Sequence, residues 1–124
     1  MAKNQVAARL QALRRLERRR AELLDRLLVS APLIRGSVTH THQRCGTPGC
    51  RCAIKPSHPV WRLATSRDGH KRCQLIRQSD VEEVRELVAC YRDYRDGLRE
   101  LDAMHKEEKA LLRGLMEIRD VGYA

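Results

Sequence analysis

The sequence predicts an α+β protein in which two long helices form an antiparallel hairpin or coiled coil, with a small zinc-stapled antiparallel β-module between them. Three observations carry this. Apolar side chains recur at helical spacing near both ends of the chain. β-Branched and polar residues alternate around an Asp-Gly turn in the middle. Three of the five cysteines crowd between Cys45 and Cys52. The 124 residues divide into a basic amphipathic helix (1–30), a basic β-module with a Cys/His cluster (31–78), a long acidic heptad helix (79–118) and a tail (119–124).

In the first segment Val6, Leu10, Leu13, Leu16, Leu23 and Leu27 repeat at helical intervals in a background rich in Ala, Leu, Arg and Glu. The expected helix covers about residues 3–29 and stops at Ser30-Ala31-Pro32, because proline cannot continue it. Strands are expected over Ser37–Arg44, Val60–Ser66 and Lys71–Arg77, with Asp68-Gly69 turning the last two into a hairpin. A two-residue turn pairs Trp61 with Ile76 and Ala64 with Cys73, leaving neither face cleanly apolar, so a longer loop stays open as an alternative. The last segment opens on Ser79-Asp80-Val81-Glu82, a capping-box pattern that marks a helix start. Behind it Val84, Leu87, Tyr91, Tyr94, Leu98, Leu101, Leu112 and Leu115 trace a heptad seam, broken by His105 and Glu108. Such a helix is roughly 55–60 Å long and must lie along helix one or a second copy, so a homodimer is expected.

The net charge of +9 is polarised: +5 over residues 1–30, +8 over 31–78 and −4 over 79–118. With Trp61 as the single tryptophan and no Phe, the chain lacks the aromatic core of a typical enzyme domain, and it is too short for repeated βαβ units. It carries no Ser/His/Asp ordering, paired acidic motif or Gly-rich phosphate loop, so a non-catalytic role is expected. No run of about 18 apolar residues and no secretory apolar segment occurs, so the expected location is cytoplasmic and no membrane partner is expected.

In a reducing compartment clustered cysteines point to metal or thiol chemistry. Residues 45–58 read C-x4-C-x-C-x5-H, which places Cys45, Cys50, Cys52 and His58 within fourteen residues, and Gly46, Pro48 and Gly49 let the loop curl. Structural zinc takes four such ligands tetrahedrally. Cys73 is the alternative fourth ligand, and His40 or His42 lies just upstream. Residues 31–78 hold only nine large apolar side chains, too few to order 48 residues without a staple or the flanking helices. Nine basic residues lie in the same segment, and the candidate nucleic-acid contacts are Arg35, Arg44, Arg51, Lys55, Arg62, Arg67, Lys71 and Arg72, with Trp61 as a stacking platform. The competing expectation is that these bases dock on the acidic helix.

The stretch Arg35-Gly36-Ser37, then Arg44-Cys45-Gly46, Pro48, Cys50-Arg51-Cys52 and His58-Pro59, resembles an uncharacterised family of small bacterial proteins with an R-G-S…C-G-x-P-x-C-x-C…H signature between two helices. The resemblance covers residues 33–100. The family pattern has glycine after the histidine and tyrosines in the next strand, where this chain has Pro59 and Val60-Trp61-Arg62. Genes of that family often neighbour transposase or site-specific recombinase genes, so the resemblance implies a role in transposition or DNA recombination and no reaction. The expected function is therefore a DNA-binding accessory protein of a mobile element. The alternatives are an adaptor that binds a recombinase or transposase without touching DNA, and a thiol-based redox switch in which Arg44 and Arg51 lower a cysteine pKa.

Overall fold

The computed structural model describes residues 2–29, 31–44, 46–55 and 58–123, and of Ala2 and Cys52 only the backbone. In chain order it runs through α1 (Ala2–Leu27), β1 (Gly36–Gln43), a 3-10 turn (Arg51–Ala53), β2 (His58–Arg67), β3 (His70–Leu75), a second 3-10 turn (Gln78–Asp80) and α2 (Val81–Arg119). This is the expected α+β class. The chain forms two units, one made of residues 31–93 and the other of segments 1–30 and 94–124.

In the first unit β1, β2 and β3 form an antiparallel meander in that order. Asp68 (φ 51°) and Gly69 (φ 80°) both take the left-handed conformation that a two-residue hairpin turn needs. The register is the one such a turn dictates: Arg67 pairs with His70 and Ala64 with Cys73, and the Ile76 N–H donates to the Trp61 carbonyl at 2.9 Å. Between β1 and β2 the pairs run from Gly36–Thr65 to Gln43–His58. A Cβ at Gly36 would stand 2.7 Å from the Ala64 carbonyl oxygen, so only glycine lets the strands close at that point.

This register resolves the two faces. Val38, His40, Trp61, Leu63, Thr65 and Ile76 share one face, and the first turns of α2 lie beside its Val38 and Trp61. Val81 and Val88 are buried there, and the Ile34 N–H donates to the Leu87 carbonyl at 3.1 Å. The other face presents Thr39, Thr41, Arg62, Ala64, Ser66, Lys71, Cys73 and Leu75, and apart from the half-buried Arg62 these are exposed. The mixed faces that the two-residue turn implied are thus real. One is covered by a helix, and the other is open.

In the second unit Leu16 and Leu23 of α1 and Met104 of α2 form the buried cluster, flanked by Leu27, Leu101 and Leu111. Arg26 Nη2 meets Glu100 Oε2 at 3.0 Å, Arg20 Nη1 meets Glu108 Oε2 at 3.5 Å, and Arg9 lies over Gly114. Positions descend along α1 as they ascend along α2, so the side chains meet in antiparallel order. Gly97 and Gly114 sit inside α2 where glycine costs about 1 kcal/mol against alanine. Both occupy contact points, since a Cβ would stand 2.6 Å from Leu27 Cδ2 at the first and 2.5 Å from Arg9 Nε at the second.

The expected seam residues divide by burial. Val84, Leu87, Tyr91, Leu101 and Leu115 are half-buried, whereas Tyr94, Leu98 and Leu112 are 41%, 46% and 54% exposed. Val88, Gly97 and Met104 are buried beside them, and Leu111 is half-buried. His105 is exposed, while Glu108 stays on the seam, paired with Arg20. The α2 start also moves, because Ser79 lies in the 3-10 turn that leads into the helix. No helix among the described residues is long and apolar enough to cross a membrane.

Candidate metal centre and nucleic-acid interface

The Cys loop leaves β1 at Gln43 and returns as β2 at His58. Gly46 (φ 78°) and Gly49 (φ 80°) bend it through left-handed conformations. The Cys50 N–H then donates to the Thr47 carbonyl at 3.3 Å, and the Cys50 carbonyl accepts from Ala53 at 3.0 Å, closing the 3-10 turn. This folding brings Cys50 to the first residue of β2, where its Sγ lies 3.3 Å from His58 Nε2. Zn–S and Zn–N bonds of about 2.3 and 2.05 Å at a tetrahedral angle separate the two donor atoms by about 3.5 Å. The observed pair therefore has the spacing of two ligands on one ion, and equally that of a thiol–imidazole hydrogen bond.

Of the other expected ligands, Cys45 and the Cys52 side chain lie outside the described residues. Among the described residues no three metal-ligating side chains converge. The alternative ligand Cys73 is exposed on β3 opposite Ala64, six ladder positions from the β2 end that carries His58. His40 and His42 lean on one another with ring centroids 5.1 Å apart.

The expected nucleic-acid contacts do not share one surface. Arg44, Arg51 and Lys55 are exposed along the Cys loop. Arg62 and Lys71 occupy the open sheet face, and Arg67 and Arg72 lie on the opposite face near the hairpin turn. Arg35 is exposed just before β1. Trp61 is half-buried on the helix-covered face, with His40 stacked on it at 4.0 Å and 10° and Arg85 Cζ 5.2 Å from its ring centroid. It lies within the sheet's own packing.

Two residues of the open face had no sequence signal of their own. Thr41 Oγ1 and Gln43 Oε1 accept from Arg62 Nη1 and Nη2 at 3.3 and 2.9 Å, which holds the guanidinium across β1. Alternation along β1 puts both on one face, but only the register shows that Arg62 shares it.

Charge pairing is uneven. Arg20 and Arg26 of α1 take up glutamates of α2. Among the described residues, none of the nine basic side chains between 31 and 78 makes an ion pair.

In chain order this is a helix–sheet–helix protein whose small sheet carries a thiol–imidazole loop and an uncompensated set of cations. The chain belongs to the DUF6788 family, a domain of unknown function, whose model matches residues 10–86. The match runs from α1 through the whole sheet to the first turns of α2. No curated protein and no solved structure matches the chain.

Proposed function

We propose that this protein is a non-catalytic DNA-binding accessory factor of a mobile genetic element, acting in transposition or site-specific recombination from the bacterial cytoplasm. The observation that carries the binding role is the uncompensated charge of the sheet module. Nine basic side chains stand against Asp68 alone in residues 31–78 and none is ion-paired among the described residues, while two α1 arginines pair with α2 glutamates. Internal charge matching with the acidic helix, the competing expectation, gains no support from these pairs. On the open face Thr39, Ser66 and the anchored Arg62 supply hydrogen-bonding groups without a carboxylate, the chemistry that phosphates and base edges accept. The mobile-element context rests on the family resemblance.

In this proposal structural zinc staples the Cys loop through Cys45, Cys50, Cys52 and His58, a ligand set supported by the 3.3 Å Cys50–His58 approach. The helices form an antiparallel hairpin with coiled-coil character, supported by the ordered Arg26–Glu100 and Arg20–Glu108 pairs. The exposed Leu10, Leu98, Leu112 and Met116 favour a protein partner on the helical unit, either a second copy or a recombinase.

Fluorescence anisotropy with labelled duplex DNA across a salt series tests the binding role. Affinity should fall linearly on a log–log plot with a slope of about −0.9 per phosphate contacted. Absence of binding at low salt, with the protein folded, rejects it in favour of the adaptor.

A further inference from the structure

The face of the β2–β3 hairpin that α2 partly covers carries a groove of about 410 Å³ lined by Ile34, Leu63, Thr65, Arg67, His70, Arg72 and Gln74. The register explains the grouping: Arg67 stands opposite His70, Thr65 opposite Arg72, and Leu63 opposite Gln74. Six side chains thus form a two-by-three array on one face, cationic at the turn and apolar at the other end, where Ile34 joins Leu63. Arg67 and Arg72 are diagonal neighbours across the strands, about 7–8 Å apart at the backbone, which long side chains span easily.

Three features give this groove a preference for an anion. It is lined by two guanidiniums and an imidazole with no carboxylate, and Asp68 in the adjoining turn is not part of its wall. Among the described residues, none of Arg67, His70 and Arg72 makes a side-chain hydrogen bond or ion pair. Guanidinium forks match phosphate oxygens bidentately, and Thr65 and Gln74 add neutral hydrogen-bonding groups beside them. The apolar Ile34–Leu63 end has no use for a bare inorganic ion, but it suits the sugar or base attached to a phosphate.

We propose that this groove holds a phosphate of the bound nucleic acid between Arg67 and Arg72, with the attached nucleoside against Ile34 and Leu63. This rests on the nucleic-acid reading above but assigns a contact away from the open sheet face. NMR of the full chain, titrated with thymidine 5′-monophosphate, inorganic phosphate and thymidine, reads the site directly. The mononucleotide should shift the Arg67 and Arg72 side-chain Nε–H signals together with the Ile34 and Leu63 methyls. It should also bind several-fold tighter than inorganic phosphate, and Arg67→Gln/Arg72→Gln should abolish the response. Lys71→Gln, on the opposite face of β3, should leave it intact, and an equal loss there would show diffuse charge attraction and overturn the proposal.

The same double variant should reduce the salt slope of duplex binding by about 1, one phosphate contact. Duplex binding with an unchanged slope, or a mononucleotide titration without Arg67 and Arg72 shifts, overturns the groove while the DNA-binding reading stands. A mononucleotide that fills the groove in a protein that binds no DNA supports the phosphate site and rejects the DNA-binding reading.

Discussion

Replacing the two glycines inside α2 by alanine, one at a time, should move stability in opposite directions. Alanine is favoured over glycine in a helix interior by about 0.8–1.0 kcal/mol, a gain available at both sites. At Gly114 the new methyl would meet Arg9 at 2.5 Å from Nε and 3.2 Å from Cζ and Nη2. That guanidinium is the far end of a flexible side chain, held by one exposed 3.3 Å bond from Nη1 to the Gln5 carbonyl. Letting it swing away costs about 0.5 kcal/mol, so Gly114→Ala should stabilise by about 0.5 kcal/mol. At Gly97 the methyl would stand 2.6 Å from Leu27 Cδ2 and 3.3 Å from its Cγ. Leu27 packs against the Leu16, Leu23 and Met104 cluster, so displacing it disturbs the unit's core. Overpacking of this kind costs about 1–3 kcal/mol, which leaves Gly97→Ala destabilising by about 1 kcal/mol. In thermal unfolding followed by far-UV circular dichroism, these values correspond to a rise of about 2 °C and a fall of about 3–5 °C. In a Leu27→Ala background Gly97→Ala should cost less than in the wild type, because the clash is removed with its partner. An equal rise in Tm for both single variants would refute the placement of Leu27 against Gly97.

Three further outcomes follow from the same geometry. Gly36→Ala should destabilise by about 1–3 kcal/mol in urea unfolding, because its Cβ would meet a backbone oxygen at 2.7 Å and not a movable side chain; an unchanged midpoint would mean that β1 and β2 do not approach there. A double-mutant cycle on Arg20 and Glu108 should give a coupling of about 0.2–1 kcal/mol that shrinks in high salt, since the Arg20 side chain is 47% exposed; zero coupling at low salt would remove the pair as a register element. Elemental analysis should find about one zinc per chain in the wild type and substantially less in Cys50→Ser, with chelator lowering the wild-type Tm; a folded, metal-free wild type would end the zinc proposal and favour the thiol–imidazole hydrogen bond.

The elements were legible in the sequence because each carried a local signal. Leucines at helical spacing, β-branched alternation and Asp68-Gly69 fix α1, the strands and the turn without reference to anything distant. What local signals cannot supply is which of two neighbouring helical tracks faces inward. An α-helix drifts about 20° per heptad against a 3.5-residue repeat, so α2 offers one track through Tyr94, Leu98 and Leu112 and another through Gly97, Met104 and Leu111. Counting large apolar letters selects the first. Packing against α1 uses the second together with Leu101, because a residue without a side chain lets Leu27 approach, and a glycine is invisible to a count of hydrophobes.

The site divides along the same line. The Cys50–His58 approach follows from a short sequence separation, eight residues with a 3-10 turn between them. The cations were legible as a composition but not as surfaces, since strand alternation sends Lys71 and Arg72 to opposite faces and only the pairing register tells which partners each one meets. That division changes what the charge can do. A single basic patch would attract any polyanion, whereas Arg62 fixed by Thr41 and Gln43 on one face, and Arg67 with Arg72 beside the apolar Ile34–Leu63 end of a groove on the other, present two different geometries to a ligand. Substitutions on one face should therefore alter binding independently of those on the other.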